Sequence, residues 1–109
     1  VIPVRDKYDF YYLSYSSPKL PLTLVNPLSD EEVHNRNTCF GACVDEEGKV
    51  TLVHQLVYGA VELSHEYSYA PEGHLAWAEI RMPDEATRKL WFDDQGQVIR
   101  TEEYEEEDV

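Results

Sequence analysis

The sequence is short of positive charge. It carries 9 Lys and Arg against 22 Asp and Glu, a formal net charge of −13. Nucleic acid and anionic membrane are held through Lys and Arg that neutralise phosphate, so a chain this acidic is expected to bind neither. Long apolar runs are missing too. None approaches the ~18 residues of a membrane-spanning helix. Arg5, Asp6, Lys7 and Asp9 break up the N-terminal stretch, which is unlike a secretory signal. The sequence opens on Val1, so an initiator Met or a longer leader upstream is expected.

Cysteine is scarce: Cys39 and Cys43 are the pair. Extended residues four apart lie ~13 Å apart along a strand, whereas a disulfide needs Cα atoms within ~7 Å. A reduced, cytoplasmic thiol pair is therefore expected rather than an intrachain bridge. Five Gly and six Pro beside 42% apolar residues are too few for a disordered chain. No Gly-rich phosphate loop and no Gly-x-Ser-x-Gly turn occurs.

What is present is enough for one domain over 1–109, with a core that needs neither metal nor disulfide. Aromatics are plentiful: eight Tyr, three Phe and two Trp. Such side chains suit a half-buried pleated surface.

One turn motif recurs. Val44-Asp45-Glu46-Glu47-Gly48-Lys49-Val50 is followed by Tyr69-Ala70-Pro71-Glu72-Gly73-His74-Leu75, and then by Phe92-Asp93-Asp94-Gln95-Gly96-Gln97-Val98. A type I turn favours Asp at its first position and accepts Pro at its second. Gly at the fourth takes positive φ and forms the bulge that matches strand twist. Each copy predicts a β-hairpin. Between them, Val61, Leu63, His65, Tyr67 and Tyr69 alternate with Glu62, Ser64, Glu66 and Ser68, the period of a strand with one wet face. Segment 49–57 is apolar on both faces and is expected to be covered on both. Strands are predicted near 38–44, 49–57, 61–69, 74–81, 87–92 and 97–104.

Residues 1–37 differ. Tyr8 to Tyr15 reads as an aromatic strand. Leu20, Leu22 and Leu24 alternate, but Pro18, Pro21 and Pro27 confine that piece to a sheet edge or an extended arm. Ser29 and Glu32 fit a capping box, so one short helix is predicted near 29–36. Residues 102–109 form an acidic tail expected to fray into solvent. The expected fold is mainly β: an antiparallel meander of six or seven strands, its repeats filling 38–104, twisted or curled to a half-barrel, with that one helix.

The unit Tyr67-x-Tyr69-x-x-x-Gly73-x-Leu75 resembles the tyrosine-rich hairpin of YD/RHS repeat proteins and is similar to the hairpins of MORN-variant repeat proteins. The resemblance spans residues 42 to 104. It departs from those families in having three copies at uneven spacing and Ala70 where Asp is usual. It implies architecture and no activity, because those repeats build shells or sheets without catalytic residues. The chain also resembles a small bacterial family of uncharacterised proteins, which implies no activity either.

Several constellations carry chemistry in principle, each with a plainer alternative. Cys39 and Cys43 with His34 or His54 would make a metal site, but structural zinc draws on two close ligand pairs and only one is here. Two small side chains on one strand face beside Gly41 explain the cysteines as well. A Cys–His nucleophile pair lacks any marked oxyanion hole. His65 on the tyrosine face is either a general base or a hydrogen-bonded sheet histidine. His34, Asn35, Arg36 and Asn37 form a polar run in which Arg36 would fork onto a carboxylate or phosphate, or simply cap the helix. Tyr11, Tyr15, Tyr67, Tyr69, Trp77 and Trp91 would form a sugar platform, or cross-strand aromatic pairs.

The leading functional expectation is a non-enzymatic acidic interaction module with a basic protein partner, using Glu102, Glu103, Glu105, Glu106, Glu107 and Asp108. The first alternative is a small-ligand binder on a concave sheet face around His65, Tyr67, Tyr69 and Trp77. The second is a small enzyme using a Cys or His. No cofactor is expected. Because a single sheet has two faces to cover, either a curled half-barrel or a homodimer through one sheet face is expected.

Overall fold

The computed structural model describes residues 2–4, 7–17 and 19–105. Arg5, Asp6 and Pro18 lie outside the described residues, as do Glu106, Glu107 and Asp108 of the predicted tail.

The chain is mainly β. Its elements are β1 (Phe10–Tyr15), β2 (Leu24–Leu28), α1 (Asp30–His34), β3 (Thr38–Val44), β4 (Val50–Val57), β5 (Ala60–Tyr69), β6 (Leu75–Arg81), β7 (Thr87–Phe92) and β8 (Val98–Tyr104). The eight strands among the described residues form one antiparallel sheet in the order β2-β1-β3-β4-β5-β6-β7-β8. From β3 onward it is an uninterrupted meander. Among the described residues the six strands predicted over 38–104 and the aromatic strand all form, and the proline-bearing arm adds an eighth at the sheet edge by pairing with β1, setting Tyr11 opposite Leu28 and Tyr15 opposite Leu24. Pro27 is tolerated there because β2 is an edge strand.

The predicted helix is a single turn and a half. The Ser29 hydroxyl accepts the Glu32 N–H, and the Glu32 carboxylate accepts the Ser29 N–H. The helix ends at His34 instead of 36, because Asn35 leaves helical geometry as the C-cap. The predicted fraying from Glu102 is likewise corrected. Glu102 and Glu103 belong to β8, opposite Lys89 and Arg88, so cross-strand charge holds them in the ladder.

The three repeated turns form alike. Asp45 N–H donates to Lys49 O, Ala70 N–H to His74 O and Asp93 N–H to Gln97 O, at 2.8–2.9 Å. Gly48, Gly73 and Gly96 hold φ of 84°, 107° and 82°, the conformation that selects glycine. In an antiparallel meander, alternate connections fall at the same end of the sheet. The three turns therefore stand side by side there, about 10 Å apart.

Both faces of the central strands are covered from within the chain. Directly opposed residues share a face, which places Phe40, Ala42, Val53, His65, Tyr67, Ala78 and Leu90 together. The connection from β1 to β2 packs Leu20 and buried Leu22 onto Phe40, Val53, Tyr67 and Ala78. Burying a leucine in this way contributes about 1.5–3 kcal/mol. On the opposite face, the Tyr8 ring lies against Gly41 and its hydroxyl sits 2.7 Å from His54 Nδ1. Leu52, Val53 and His54 of β4 are consecutive and all buried, as the doubly apolar segment requires.

Candidate functional site

The predicted ligand face is not one surface. Tyr67 stands opposite Ala78, whereas Trp77 stands opposite Ser68, so Tyr67 and Trp77 point to opposite sides of the sheet. His65 and Tyr67 are buried and bonded to each other, Nδ1 to hydroxyl, at 2.7 Å. The Leu22 N–H donates to the same hydroxyl at 3.1 Å, so the chain itself occupies the space above Tyr67. Burial lowers His65 to about 4, which keeps the imidazole neutral.

The polar run His34–Asn37 is exposed and serves local backbone. Asn35 closes the helix, Arg36 Nε donates to Thr38 O at 3.2 Å, and Asn37 O accepts the Tyr58 N–H at 2.7 Å. Cys39 is buried, and burial pushes its thiol up, with Arg36 acting weakly the other way. Both cysteines are free thiols. Among the described residues, no three His, Cys, Asp or Glu side chains converge on one point. No helix among them is long and apolar enough to cross a membrane.

The acidic surface gathers where the repeats put it. A cleft of about 420 Å³ opens between the β3–β4 and β5–β6 turns, lined by Asp45, Glu46, Glu47, Lys49, Tyr69, Ala70 and Pro71. Asp45, Glu46 and Glu47 are exposed. Tyr69 forms the wall, its hydroxyl donating to Val50 O at 2.7 Å. Burial raises that hydroxyl's pKa, and the Asp45 carboxylate raises it further, so the negative field of the turn reaches the ring. Lys49 shows what this cleft holds. Its ammonium lies 5.2 Å from the Tyr69 ring centre, 3.4 Å from Gly73 O and 3.5 Å from Glu47 Oε2. An aromatic face, a carbonyl and a carboxylate together solvate a cation. Exposed Glu72 and Asp94, with half-buried Asp93, extend the same rim across the next turns.

One feature escaped sequence reasoning entirely, and a second, beyond its tryptophan pair, in part. The first is the Tyr8–Gly41–His54 stack, which depends on a register that periodicity cannot supply. The other lies on the open face of β6–β8, where Trp77, Trp91 and Arg100 stand in one row and Glu79, Lys89 and Glu102 in the next. Lys89 Nζ sits 4.1 Å from the Trp77 ring centre and 5.2 Å from that of Trp91, and Arg100 lies 4.8 Å from the latter. Lys-x-Trp along β7 and Arg-x-Glu along β8 were the available signal.

No curated protein and no solved structure matches the chain. A family of unknown function, DUF6156, matches residues 5–101, and the chain belongs to that family.

Proposed function

We propose that the chain is an acidic protein-interaction module, not an enzyme, and that it receives a basic partner across the row of hairpin turns. The observation that carries this reading is the cleft beside Tyr69, where the protein's own Lys49 is already held by ring, carbonyl and carboxylate. Asp45, Glu46, Glu47, Glu72 and Asp94 offer more negative charge than Lys49 neutralises, so a partner's Lys or Arg extends an existing arrangement. The ligand-binder alternative draws less support, since Tyr67 and Trp77 do not share a face and Leu22 covers Tyr67. The enzyme alternative draws less still, since burial disfavours the Cys39 thiolate and the neutral His65 is already bonded to Tyr67. A bacterial cytoplasm suits this reading, with Cys39 and Cys43 kept as free thiols.

The test is a nuclear magnetic resonance titration with an oligoarginine peptide at low and moderate salt. Amide shifts concentrated at residues 45–47, 70, 72, 73 and 93–95, weakening with salt, are expected. Glu46→Lys with Glu47→Lys should weaken binding about tenfold, while Glu62→Lys on an exposed part of β5 leaves it within about twofold. Shifts spread evenly over all acidic surface, or equal loss with Glu62→Lys, would reduce the effect to net charge and sink the site.

A further inference from the structure

The two edges of the sheet are protected unequally. At one edge, β2 carries Pro27, which has no N–H to offer, and Asn26 at a φ of 60° breaks its extended run. Helix α1 packs beside it. These are ordinary ways of blunting an edge. At the other edge, β8 is exposed along all seven residues and contains no proline. Val98 and Ile99 are 50% and 66% exposed. Among the described residues no strand pairs with its outer side, which leaves a row of backbone donors and acceptors open.

Charge is the remaining defence of an edge, and in β8 it is arranged to complement itself. Two copies adding edge to edge in antiparallel fashion continue one sheet about a two-fold axis normal to it. Directly opposed residues then share a face, so the axis must pass through a residue. Centred on Arg100, the pairing sets Arg100 against itself. Centred on Glu102, it sets Glu102 against itself. Both oppose like charges. Centred on Thr101, it sets Arg100 opposite Glu102 twice, Val98 opposite Tyr104, and Ile99 opposite Glu103. That register also joins the surface rows. The line Glu79–Lys89–Glu102 runs on into Arg100, Trp91 and Trp77 of the second copy, with charges alternating across the join.

We propose that the chain forms a two-fold homodimer by pairing β8 with β8 of a second copy about Thr101, in the register selected by Arg100 and Glu102. Within one copy these two residues already form an ion pair, and Arg100 is braced by Trp91. In the dimer each gains a cross-strand partner of opposite sign without leaving its place. The pairing joins edges, so it leaves the cleft beside Tyr69 uncovered and is independent of the interaction proposed at that cleft.

The experiment is sedimentation velocity on the full chain at about 0.15 M salt, where the ~8 Å screening length mutes repulsion between distant charges. Wild type is expected to sediment as a dimer at micromolar concentration. Arg100→Glu places four carboxylates at the join and Glu102→Arg places four cations there. Each should weaken self-association about tenfold or more. Mixed together, the two single variants restore opposite charges at both positions and should form a heterodimer. The double variant Arg100→Glu with Glu102→Arg should self-associate again. Heterodimer formation also shows that both variants are folded. A wild type that stays monomeric overturns the proposal. So do single variants that dimerise as well as wild type, or a mixture that stays monomeric.

Discussion

The Tyr67 hydroxyl and His65 Nδ1 lie 2.7 Å apart, two residues distant on one strand and on one side of the sheet. Because that hydroxyl already accepts the Leu22 N–H, its own proton is free to go to Nδ1. His65 is then the neutral tautomer with its proton on Nε2. Burial keeps the imidazole neutral, and one bond from the crossing loop to the strand thus sets its tautomer.

This pair makes stability depend on pH with a definite sign. Folding lowers His65 from an ordinary 6.5 to about 4. The unfolded chain binds the proton first as pH falls, so the contribution is complete above pH 6.5 and is lost between 6.5 and 4. That shift corresponds to about 3 kcal/mol over the interval. Urea unfolding of wild type and His65→Gln between pH 7 and pH 4 measures it. The stability gap between the two should shrink by roughly this amount, and two parallel curves would show that folding does not shift the His65 titration.

Gly41 should tolerate no side chain. A Cβ there would stand 2.6 Å from Tyr8 Cγ, so the ring must move and its bond to His54 stretches. Gly41→Ala should cost about 2–3 kcal/mol by overpacking. Tyr8→Phe, which keeps the ring and removes the hydroxyl, should cost about 1 kcal/mol. In the double variant Gly41→Ala with Tyr8→Ala the two losses should fall short of adding, because the clash disappears with the ring. Denaturant midpoints for wild type, Gly41→Ala, Tyr8→Ala and the double variant close the cycle, and strict additivity would mean that ring and glycine do not press on each other.

The meander was legible because its determinants are local. Asp or Ala, two free residues and Gly specify each hairpin, and alternation from Val61 to Tyr69 specifies the strand between. The capping box at Ser29 placed the helix for the same reason. The covering of the two faces was not legible. Leu22 reaches Tyr67 across 45 residues and Tyr8 reaches His54 across 46, and no periodicity reports such contacts. Grouping Tyr67 with Trp77 failed because they lie on adjacent strands, where register alone decides the face. The acidic character of the site was visible in composition. Its location was visible only once alternate turns were seen to share one end of the sheet.

The two thiols should separate in reactivity. Cys39 is buried and its thiolate is disfavoured by that burial, whereas Cys43 is half-buried on the same strand. A disulfide reagent near pH 8 should label Cys43 at least about tenfold faster than Cys39, with Cys39 following only as the sheet opens. Peptide mapping after brief labelling distinguishes them. Equal rates would mean that β3 is open at its Cys39 end.

The middle turn can be improved. Asp45 Oδ1 accepts the N–H groups of Glu47 and Lys49, and Asp93 Oδ1 accepts those of Gln95 and Gln97, all within 3.0 Å. Ala70 supports the same backbone bonds in its turn but has no side-chain acceptor for Glu72 and His74. Asn at this position supplies the acceptor without charge, and Asp supplies it with one more negative charge beside Asp45 and Tyr69. Ala70→Asn should therefore stabilise by about 0.5–1 kcal/mol. Ala70→Asp should gain less at low salt and approach Asn as salt rises, since only repulsion separates the two. Thermal melts of both variants across a salt series measure this. If neither raises Tm, the side-chain acceptor adds nothing to these turns, and Asp45 and Asp93 serve the charge of the rim alone.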